Sequence, residues 1–290
     1  MKVRRIGDRR DAVRVRDIDG MHFYMAYLMP KRTEAEVYLN ETVDVTNLLE
    51  YIKNKYKTEG RKLSVFHCVI TAVARTILMR PLLNRYVSGK HYYMRKKITM
   101  GFIIKKQFKD SSEESLMILT PNDNESVNDI SDRIANKVKS TRGGNSSGSP
   151  DKALDLVKHL PKPLMHIFMF ILRTADNLGL MPRVVTDMDT NYCTVLLSNL
   201  GSIKCNAVYH HLNNIGTNSI VITIGEIHQQ MLPDENGELR VRDVLNLGVT
   251  LDERIADGFY FARSLKLVKH MFVNPDLLDI PLGEAIDYEF

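Results

Sequence analysis

The sequence predicts a mixed α/β fold in which helices pack against an extended β-sheet, and three observations support this prediction. Two stretches in the first third of the chain place apolar residues at helical spacing. Several later stretches alternate apolar and polar residues or are rich in β-branched residues, as strands are. A last helical pattern closes the chain at residues 257–275. Helices and strands mixed in this way are typical of a layered α/β domain, and we expect a single domain over residues 1–290.

The first strand and the first two helices are predicted between residues 37 and 81. The segment VYLNETVDVTNLLEYIKNKY begins as a strand and continues as a helix that Asp44 or Thr46 can cap. The segment SVFHCVITAVARTILMRP predicts a second helix, which Ser64 can cap. Both helices are long enough to cover a sheet, so we expect them to form one layer of the fold.

A hairpin, a strand and a helix are predicted next. Residues 91–108, HYYMRKKITMGFIIKKQF, alternate and predict a β-hairpin, with Gly101 at a place where a side chain does not fit. Residues 114–121, ESLMILTP, predict a strand, and residues 126–142, SVNDISDRIANKVKSTR, predict an amphipathic helix.

A flexible composition, GGNSSGSPDK, then interrupts the pattern at 143–152. We interpret residues 143–182 as a flexible loop plus an inserted helix within one domain, because the later strands need the earlier ones as partners. The later strands are predicted in NYCTVLLSN, SIVITIGEI, LRVRDVLNLGVTL and the short approach to Asp252. The turn residues 233–237, PDENG, separate two of these strands.

Composition excludes several classes of protein. Hydrophobic residues make up 44% of the chain and charged residues 26%, which is ordinary for a soluble globular protein. The net charge of +5 is too small to indicate a nucleic-acid partner, and none is expected. Much of the excess lies in a basic N-terminal arm, residues 1–19. This arm could anchor the protein to nucleic acid or an acidic membrane, but its interleaved Val and Ile residues favour docking onto carboxylates of this chain or a neighbouring subunit.

The cysteine pattern indicates a protein of a reducing compartment. The three cysteines are far apart and include no Cys-x-x-Cys pair, so we expect reduced thiols in a cytoplasmic protein. No His-Glu-x-x-His spacing is found, and no metal site is expected.

The apolar run 164–172 has only nine residues and is too short to span a membrane. We interpret it as a core or subunit-contact helix, with shallow membrane association as the alternative.

Several segments together resemble one protein family. They are VDVTNLLEYIKNK, KITMGFIIKK, TVLLSNLGS with its Ser-Asn-Leu-Gly turn, and LDERIADGFYFARSLKLVKHMFVNPDLL. They resemble the catalytic domain of dihydrolipoamide acyltransferases, the cores of 2-oxo acid dehydrogenase complexes, and the related chloramphenicol acetyltransferase. The resemblance extends from about residue 20 to 280, except for 143–190. It implies a chloramphenicol acetyltransferase-like mixed sheet packed with helices, and we expect no lipoyl or subunit-binding domain.

The resemblance implies an activity, a ligand and an assembly. Members of the family move an acyl group between coenzyme A and a thiol or hydroxyl, which requires a base and an oxyanion donor. A histidine in Asp-His-Arg-x-x-Asp-Gly is the family's base, and a Ser or Thr hydroxyl after Ser-Asn-Leu-Gly is its donor. The site lies between subunits of a trimer. We therefore expect a homotrimer and coenzyme A or acyl-coenzyme A as ligand, although no motif identifies the coenzyme A contacts.

This chain departs from the family at both catalytic positions. Glu253 stands where the family has its histidine. Asp257 matches the family's structural ion-pair carboxylate, for which Arg9 or Arg10 could be the partner. The donor position falls near Asn206 or Ala207, in a segment about two residues longer than in the family.

Two other histidines are candidates for a displaced base. His210 and His211 lie in the lengthened donor segment. Adjacent residues on an extended segment point to opposite sides, so we expect at most one of the two rings to face the site. The alternative is that both are solvated or lie at the edge of the core.

Ordinary pKa values determine how serious the loss of the histidine is. The pKa of a thiol is about 8.5, that of histidine about 6.5 and that of glutamate about 4.3. Proton transfer to glutamate is therefore harder by about 3 kcal/mol, or roughly a hundredfold in rate. Two functions remain open: a coenzyme A-dependent acyltransferase with impaired turnover, and a catalytically silent trimeric binding or scaffold homologue.

Overall fold

Nine strands form two sheets in the part of the chain that the structure, a computed structural model, describes: residues 5–105, 114–142, 158, 160–234 and 236–289. The strands are β1 (Ala12–Arg14), β2 (Glu36–Asp44), β3 (Arg85–Ser88), β4 (His91–Arg95), β5 (Met100–Lys105), β6 (Glu114–Leu119), β7 (Val195–Asn199), β8 (Ile220–Pro233) and β9 (Leu239–Asp252). The helices are α1 (Gly20–Leu28), α2 (Thr46–Glu59), α3 (Val65–Met79), α4 (Val127–Arg142), α5 (Lys162–Asn177), α6 (Arg183–Thr186) and α7 (Gly258–Val273).

The main sheet has six strands in the order β2-β9-β8-β7-β5-β6. The pairs β5–β7 and β7–β8 are parallel and the other pairs are antiparallel, so the sheet is mixed. Apolar residues of this sheet and of α2, α3, α4 and α7 form one hydrophobic core. The rings of Phe66 on α3 and Phe102 on β5, for example, lie 5.4 Å apart and edge to face. The predicted mixed α/β fold with helices packed on a sheet is confirmed.

The predicted cap of α3 at Ser64 is confirmed, whereas the predicted cap of α2 at Asp44 or Thr46 is wrong. Ser64 has an extended backbone and its hydroxyl accepts a hydrogen bond from the amide of His67 at 3.4 Å, which begins α3. The N-cap of α2 is Val45, which has no capping side chain, although Asp44 accepts from the amide of Thr46 at 2.9 Å just before the helix. These contacts satisfy amides that a helix start leaves without partners.

The predicted hairpin at 91–108 is wrong. β4 pairs with β1 and β3 in a separate three-stranded sheet, whereas β5 pairs with β6 and β7 in the main sheet. The break falls at the exposed Lys96 and Lys97. A side chain at Gly101 would lie 2.9 Å from Cys193 Sγ, so only glycine lets β5 pack this closely against that residue.

The described part of the N-terminal arm is docked, as expected. Arg9 is buried and donates to Ser88 Oγ at 2.8 Å and to the carbonyl of Asp176 at 2.9 Å. Its guanidinium carbon lies 4.8 Å from the centre of the Tyr93 ring, an arrangement that favours a cation. The acceptors of Arg9 are a hydroxyl and carbonyls, rather than the carboxylates that we expected.

The apolar run 164–172 is not part of the core. It lies in α5, where Asp176 is the one fully buried residue, and Phe170 and Ile171 are exposed. The core interpretation is therefore wrong for this helix. The flexible segment 143–152 lies outside the described residues. No helix within the described ranges combines the length and the apolarity that crossing a bilayer requires.

Candidate active site

A buried ion pair fixes the turn that carries the DERIADG motif. β9 ends at Asp252, whose side chain is fully buried. Arg254 Nε donates to one oxygen of the Asp252 carboxylate at 2.7 Å, and Arg254 Nη2 donates to the other at 2.6 Å. Arg254 Nη1 also donates to the carbonyl of Met29 at 2.7 Å, which attaches the end of α1 to the motif. The backbone on both sides of residue 253 is therefore rigidly held.

A second buried arginine, Arg32, joins this ion pair to the segment after the two histidines. Its Nε lies 3.8 Å from the Asp252 carboxylate, and it donates to the carbonyl of Gly216 at 2.9 Å and to that of Asn213. Burial lowers the pKa of Arg32 to about 10, and the negative charge of Asp252 opposes this effect. Arg32 stays charged at neutral pH and holds the loop ending at residue 216 beside the end of β9.

Glu253, which the sequence resemblance aligns with the family's histidine, directly follows the end of β9. Its backbone amide donates to the carbonyl of Ala35 at 2.9 Å, and its side chain is half-buried. Within the described ranges, no hydrogen bond or ion pair reaches the Glu253 carboxylate. A catalytic base is normally oriented by a second group, and here no described residue performs that task.

Among the residues that the structure describes, Asp257 forms no ion pair within this chain. Its carboxylate is exposed and accepts from the amide of Tyr260 at 2.7 Å, which caps α7. Among the described residues, neither Arg9 nor Arg10 reaches it. The buried carboxylate–arginine pair of the motif is instead the one between Asp252 and Arg254, because these two side chains point inward at the strand end while Asp257 begins a helix at the surface.

The part of the donor segment at residues 206–208 crosses the middle of the long β8–β9 pair. Glycines at 225 and 248 make room for it, since a side chain at Gly225 would lie 2.6 Å from the amide of Ala207, and one at Gly248 would lie 2.6 Å from the carbonyl of Val208. Asn206 Oδ1 accepts from the amide of Ala207 at 2.8 Å and from Asn246 Nδ2 at 3.1 Å. The Asn206 side chain therefore has a structural role, and Ala207 has no polar side chain to offer.

His210 and His211 lie on the same side of their loop, which corrects the expectation that they point apart. Their rings stack with centres 5.0 Å apart and planes at 18°. The segment is irregular and pairs with no strand, so the alternation of a β-strand does not apply to it. His210 Nδ1 lies 3.0 Å from the carbonyl oxygen of His211. Because a carbonyl only accepts, this contact requires a proton on Nδ1 and leaves Nε2 of the neutral ring with a free lone pair.

The histidine loop is anchored next to the DERIADG turn. The amide of Leu212 donates to the Glu36 carboxylate at 2.5 Å, and Glu36 lies opposite Asp252 in the β2–β9 pair. Glu253 and the histidine loop are therefore neighbours. The earlier part of the donor segment, residues 206–208, lies farther away, since Gly248, against which Val208 packs, precedes Glu253 by five residues, or about 16 Å of extended chain.

No metal centre accompanies these groups, because the described residues contain no cluster of three or more His, Cys, Asp or Glu that could hold an ion. All three cysteines are free. Burial raises the pKa of both the Cys68 and the Cys193 thiols to about 12, so neither is a ready nucleophile.

Sequence reasoning missed Arg32 and Glu36. Both lie in the polar segment KRTEAE, which has no periodic pattern and follows no motif of the family. Their partners at Asn213 and Leu212 are about 180 residues away in the chain. Only the pairing of β2 with β9 brings them together.

Comparison with known proteins identifies the protein family to which this fold belongs. The chain is 24% identical over 256 residues to the lipoamide acyltransferase component of the branched-chain alpha-keto acid dehydrogenase complex of Bacillus subtilis (strain 168). This match covers 85% of the chain and 49% of the relative, so the chain spans about half the length of that relative.

Solved structures share the fold. A probable dihydrolipoamide acetyltransferase of Listeria monocytogenes 4b F2365 superposes with a TM-score of 0.59 at 18% identity, covering 89% of this chain and 93% of that one. The cubic core of a pyruvate dehydrogenase multienzyme complex gives a TM-score of 0.60 at 15% identity, covering 91% and 93%. Residues 14–149 and 184–280 match the family described as 2-oxoacid dehydrogenases acyltransferase (catalytic domain), and the chain belongs to that family.

Proposed function

We propose that this protein is a homotrimer that binds coenzyme A thioesters and transfers acyl groups to thiols only slowly. The observation that carries the proposal is the Glu253 carboxylate, which replaces the family's histidine and has no supporting partner among the described residues. An ordinary glutamate is too weak a base for a thiol, and its negative charge also opposes the forming thiolate.

The donor segment supports the same proposal. Removing one oxyanion donor from an acyl-transfer site costs about 3–4 kcal/mol in the transition state. Here Asn206 is occupied by Ala207 and Asn246, and Ala207 offers only a methyl group. Slow turnover is therefore expected from two independent losses.

The trimer is supported by the distance between the two halves of the site. Within one chain the part of the donor segment at residues 206–208 crosses the sheet about 16 Å before Glu253, counted along β9. A neighbouring copy could bring its own donor segment to this turn, as the family's shared site implies. Exposed apolar side chains on α5, including Phe170 and Ile171, provide surface that a second copy would cover.

A reducing, cytoplasmic location is part of this proposal, since all three cysteines are free. Such a location also supplies the coenzyme A thioesters that the family uses.

Light scattering combined with calorimetry tests the proposal. We expect a trimer mass at micromolar concentration, together with measurable heat when acetyl-coenzyme A is added. A monomer would contradict the shared site. A trimer that releases no heat at millimolar acetyl-coenzyme A would contradict ligand binding and leave the scaffold homologue as the function.

A second candidate, acyl transfer with His210 as the base, is favoured by one observation. The contact from His210 Nδ1 to the carbonyl of His211 sets the tautomer in which Nε2 can accept a proton. The loop is also anchored beside Glu253 through Leu212 and Glu36. In this case the base is His210, which precedes Glu253 by about forty residues in the chain but lies near the same turn.

A further inference from the structure

A basic cavity of about 520 Å³, which Glu253 does not line, lies between the docked N-terminal arm, the start of β5 and the chain after α5. Cationic side chains dominate its wall and outnumber the carboxylates by six to three. The cations are Arg9, Arg10, Arg95, Lys96, Lys97 and Arg183, and the carboxylates are Asp11, Asp176 and Asp187.

Two of the carboxylates already have partners within the protein. Asp176 is buried and accepts from the hydroxyl of Tyr192 at 2.9 Å and from the amide of Gly216 at 2.9 Å. Asp11 accepts from the hydroxyl of Tyr86 at 3.2 Å and lies 3.8 Å from Arg95 Nη1. The cavity therefore keeps an excess of three positive charges after every carboxylate in its wall is counted.

Two of the cations are buried without full compensation. Arg9 and Arg95 are only 6% and 7% exposed, and the Nε of each has no hydrogen-bond partner among the described residues. Arg9 has no carboxylate within ion-pair distance in the described ranges. Burial of a cation is costly unless a negative charge is near, and it lowers the pKa of Arg95. The buried positive charges of these two arginines favour the binding of an anion in the cavity.

Three further cations form the rim. Arg10, Lys97 and Arg183 are exposed, and within the described ranges none of them forms an ion pair with a carboxylate. They come from the N-terminal arm, the turn before β5 and the start of α6, so three separate segments converge on one opening. Such convergence of unpaired charge favours a ligand with more than one negative group.

We propose that this cavity binds a phosphorylated small molecule of nucleotide size. Phosphate groups offer the several acceptor oxygens that arginine forks can engage, and a diphosphate matches the excess positive charge. The volume is in the range of small-molecule sites, and Ile118, Met181 and Tyr192 provide a surface for an organic portion.

The lining of the cavity includes none of the residues Glu253, Asn206, Ala207, His210 and His211. Three of its lining residues, Asp176, Gly179 and Met181, belong to the inserted segment that the family match does not cover. The inference therefore does not depend on Glu253, on turnover or on the trimer.

Calorimetry with inorganic pyrophosphate tests the charge recognition. We expect binding to the wild-type protein that weakens as salt rises, and at least tenfold weaker binding by the double variant Lys97→Gln with Arg183→Gln. Both residues are exposed, so the variant keeps its fold. Lys266→Gln is the matched control, because Lys266 is an exposed lysine on α7 outside the cavity, and it should bind as the wild type does.

The source of the phosphate is distinguished by two further titrations. Adenosine diphosphate and coenzyme A are compared on the wild-type protein and the double variant, and the natural ligand resembles the compound whose affinity falls at least tenfold. Absence of heat with pyrophosphate would overturn the proposal. An equal loss in Lys266→Gln, or tighter binding of citrate than of pyrophosphate, would overturn it as well.

Discussion

The backbone amide of Leu212 donates to the carboxylate of Glu36 at 2.5 Å, which fastens the loop bearing the two histidines to the strand that pairs with β9. Glu36 also accepts from the hydroxyl of Tyr38 at 2.5 Å. One carboxylate on an edge strand thereby positions a loop that is distant in sequence. The candidate site depends on this contact as much as on its own motif.

Replacing this carboxylate tests its role. Glu36→Ala leaves the amide of the buried Leu212 without an acceptor, and we expect unfolding free energy to fall by about 1–3 kcal/mol. Hydrogen exchange should become faster at residues 210–216. Chemical denaturation and exchange measurements check both. Glu50→Ala, at an exposed position of α2, is the control and should change stability by no more than about 0.5 kcal/mol. Unchanged exchange in the loop of Glu36→Ala would refute the anchoring role.

The two aspartates of the motif should differ sharply in their contribution to stability. Asp252→Asn leaves the buried Arg254 without its countercharge, and we expect a loss of about 3–5 kcal/mol by urea denaturation. Asp257→Asn is a matched change, since asparagine also caps helices, and we expect almost no loss. If Asp257→Asn proves the more damaging change, the structural ion pair is at Asp257, as the family resemblance implies.

Stability should depend on pH through His67. Burial lowers the pKa of His67 below its usual value, and Nδ1 accepts from the amide of Ser64 at 3.3 Å, which requires the neutral ring. The unfolded chain therefore binds the proton more readily, and stability falls as pH drops through the ordinary histidine value of about 6.5.

Urea denaturation at pH 7.5 and at pH 5 measures this effect. His67→Gln keeps a side-chain acceptor at the same cap position, and we expect it to lose less stability than the wild type over this interval. His166→Gln, on the exposed part of α5, should behave as the wild type. Equal pH dependence in all three proteins would show that His67 does not contribute.

The fold was largely predictable because it rests on local signals. The cap at Ser64 and the glycine at position 101 are each indicated by a few neighbouring residues of the sequence. The pairing of β5 with β6 and β7 was not predictable in the same way, because alternation predicts a strand without identifying its partner. The hairpin prediction failed for that reason.

The candidate site was predictable only in part. The motif located Glu253, and the Ser-Asn-Leu-Gly turn located the donor segment near Asn206 and Ala207. The contacts of Arg32 and Glu36 join segments about 180 residues apart and follow no local pattern. The stacking of His210 on His211 depends on an irregular backbone, which strand periodicity describes wrongly.

Alanine variants of His210 and His211 distinguish the two candidate functions. We expect His210→Ala to change the rate of thiol acetyl transfer by less than about twofold, because the proposed function assigns His210 no part in the slow transfer. A loss of 10²-fold or more, the usual contribution of a general base, would assign that role to His210 and support the second candidate. His211→Ala is the control, since it keeps the carbonyl that fixes the His210 tautomer.

The most direct measurement is the rate of acetyl transfer from acetyl-coenzyme A to dihydrolipoamide by wild type, Glu253→His and the double variant with Ala207→Ser. We predict a very low rate for wild type, a gain of about a hundredfold for Glu253→His from the better-matched base, and a further gain for the double variant from the added hydroxyl. A fast wild type that Glu253→Gln abolishes would contradict the account, because the glutamate would then be the working base.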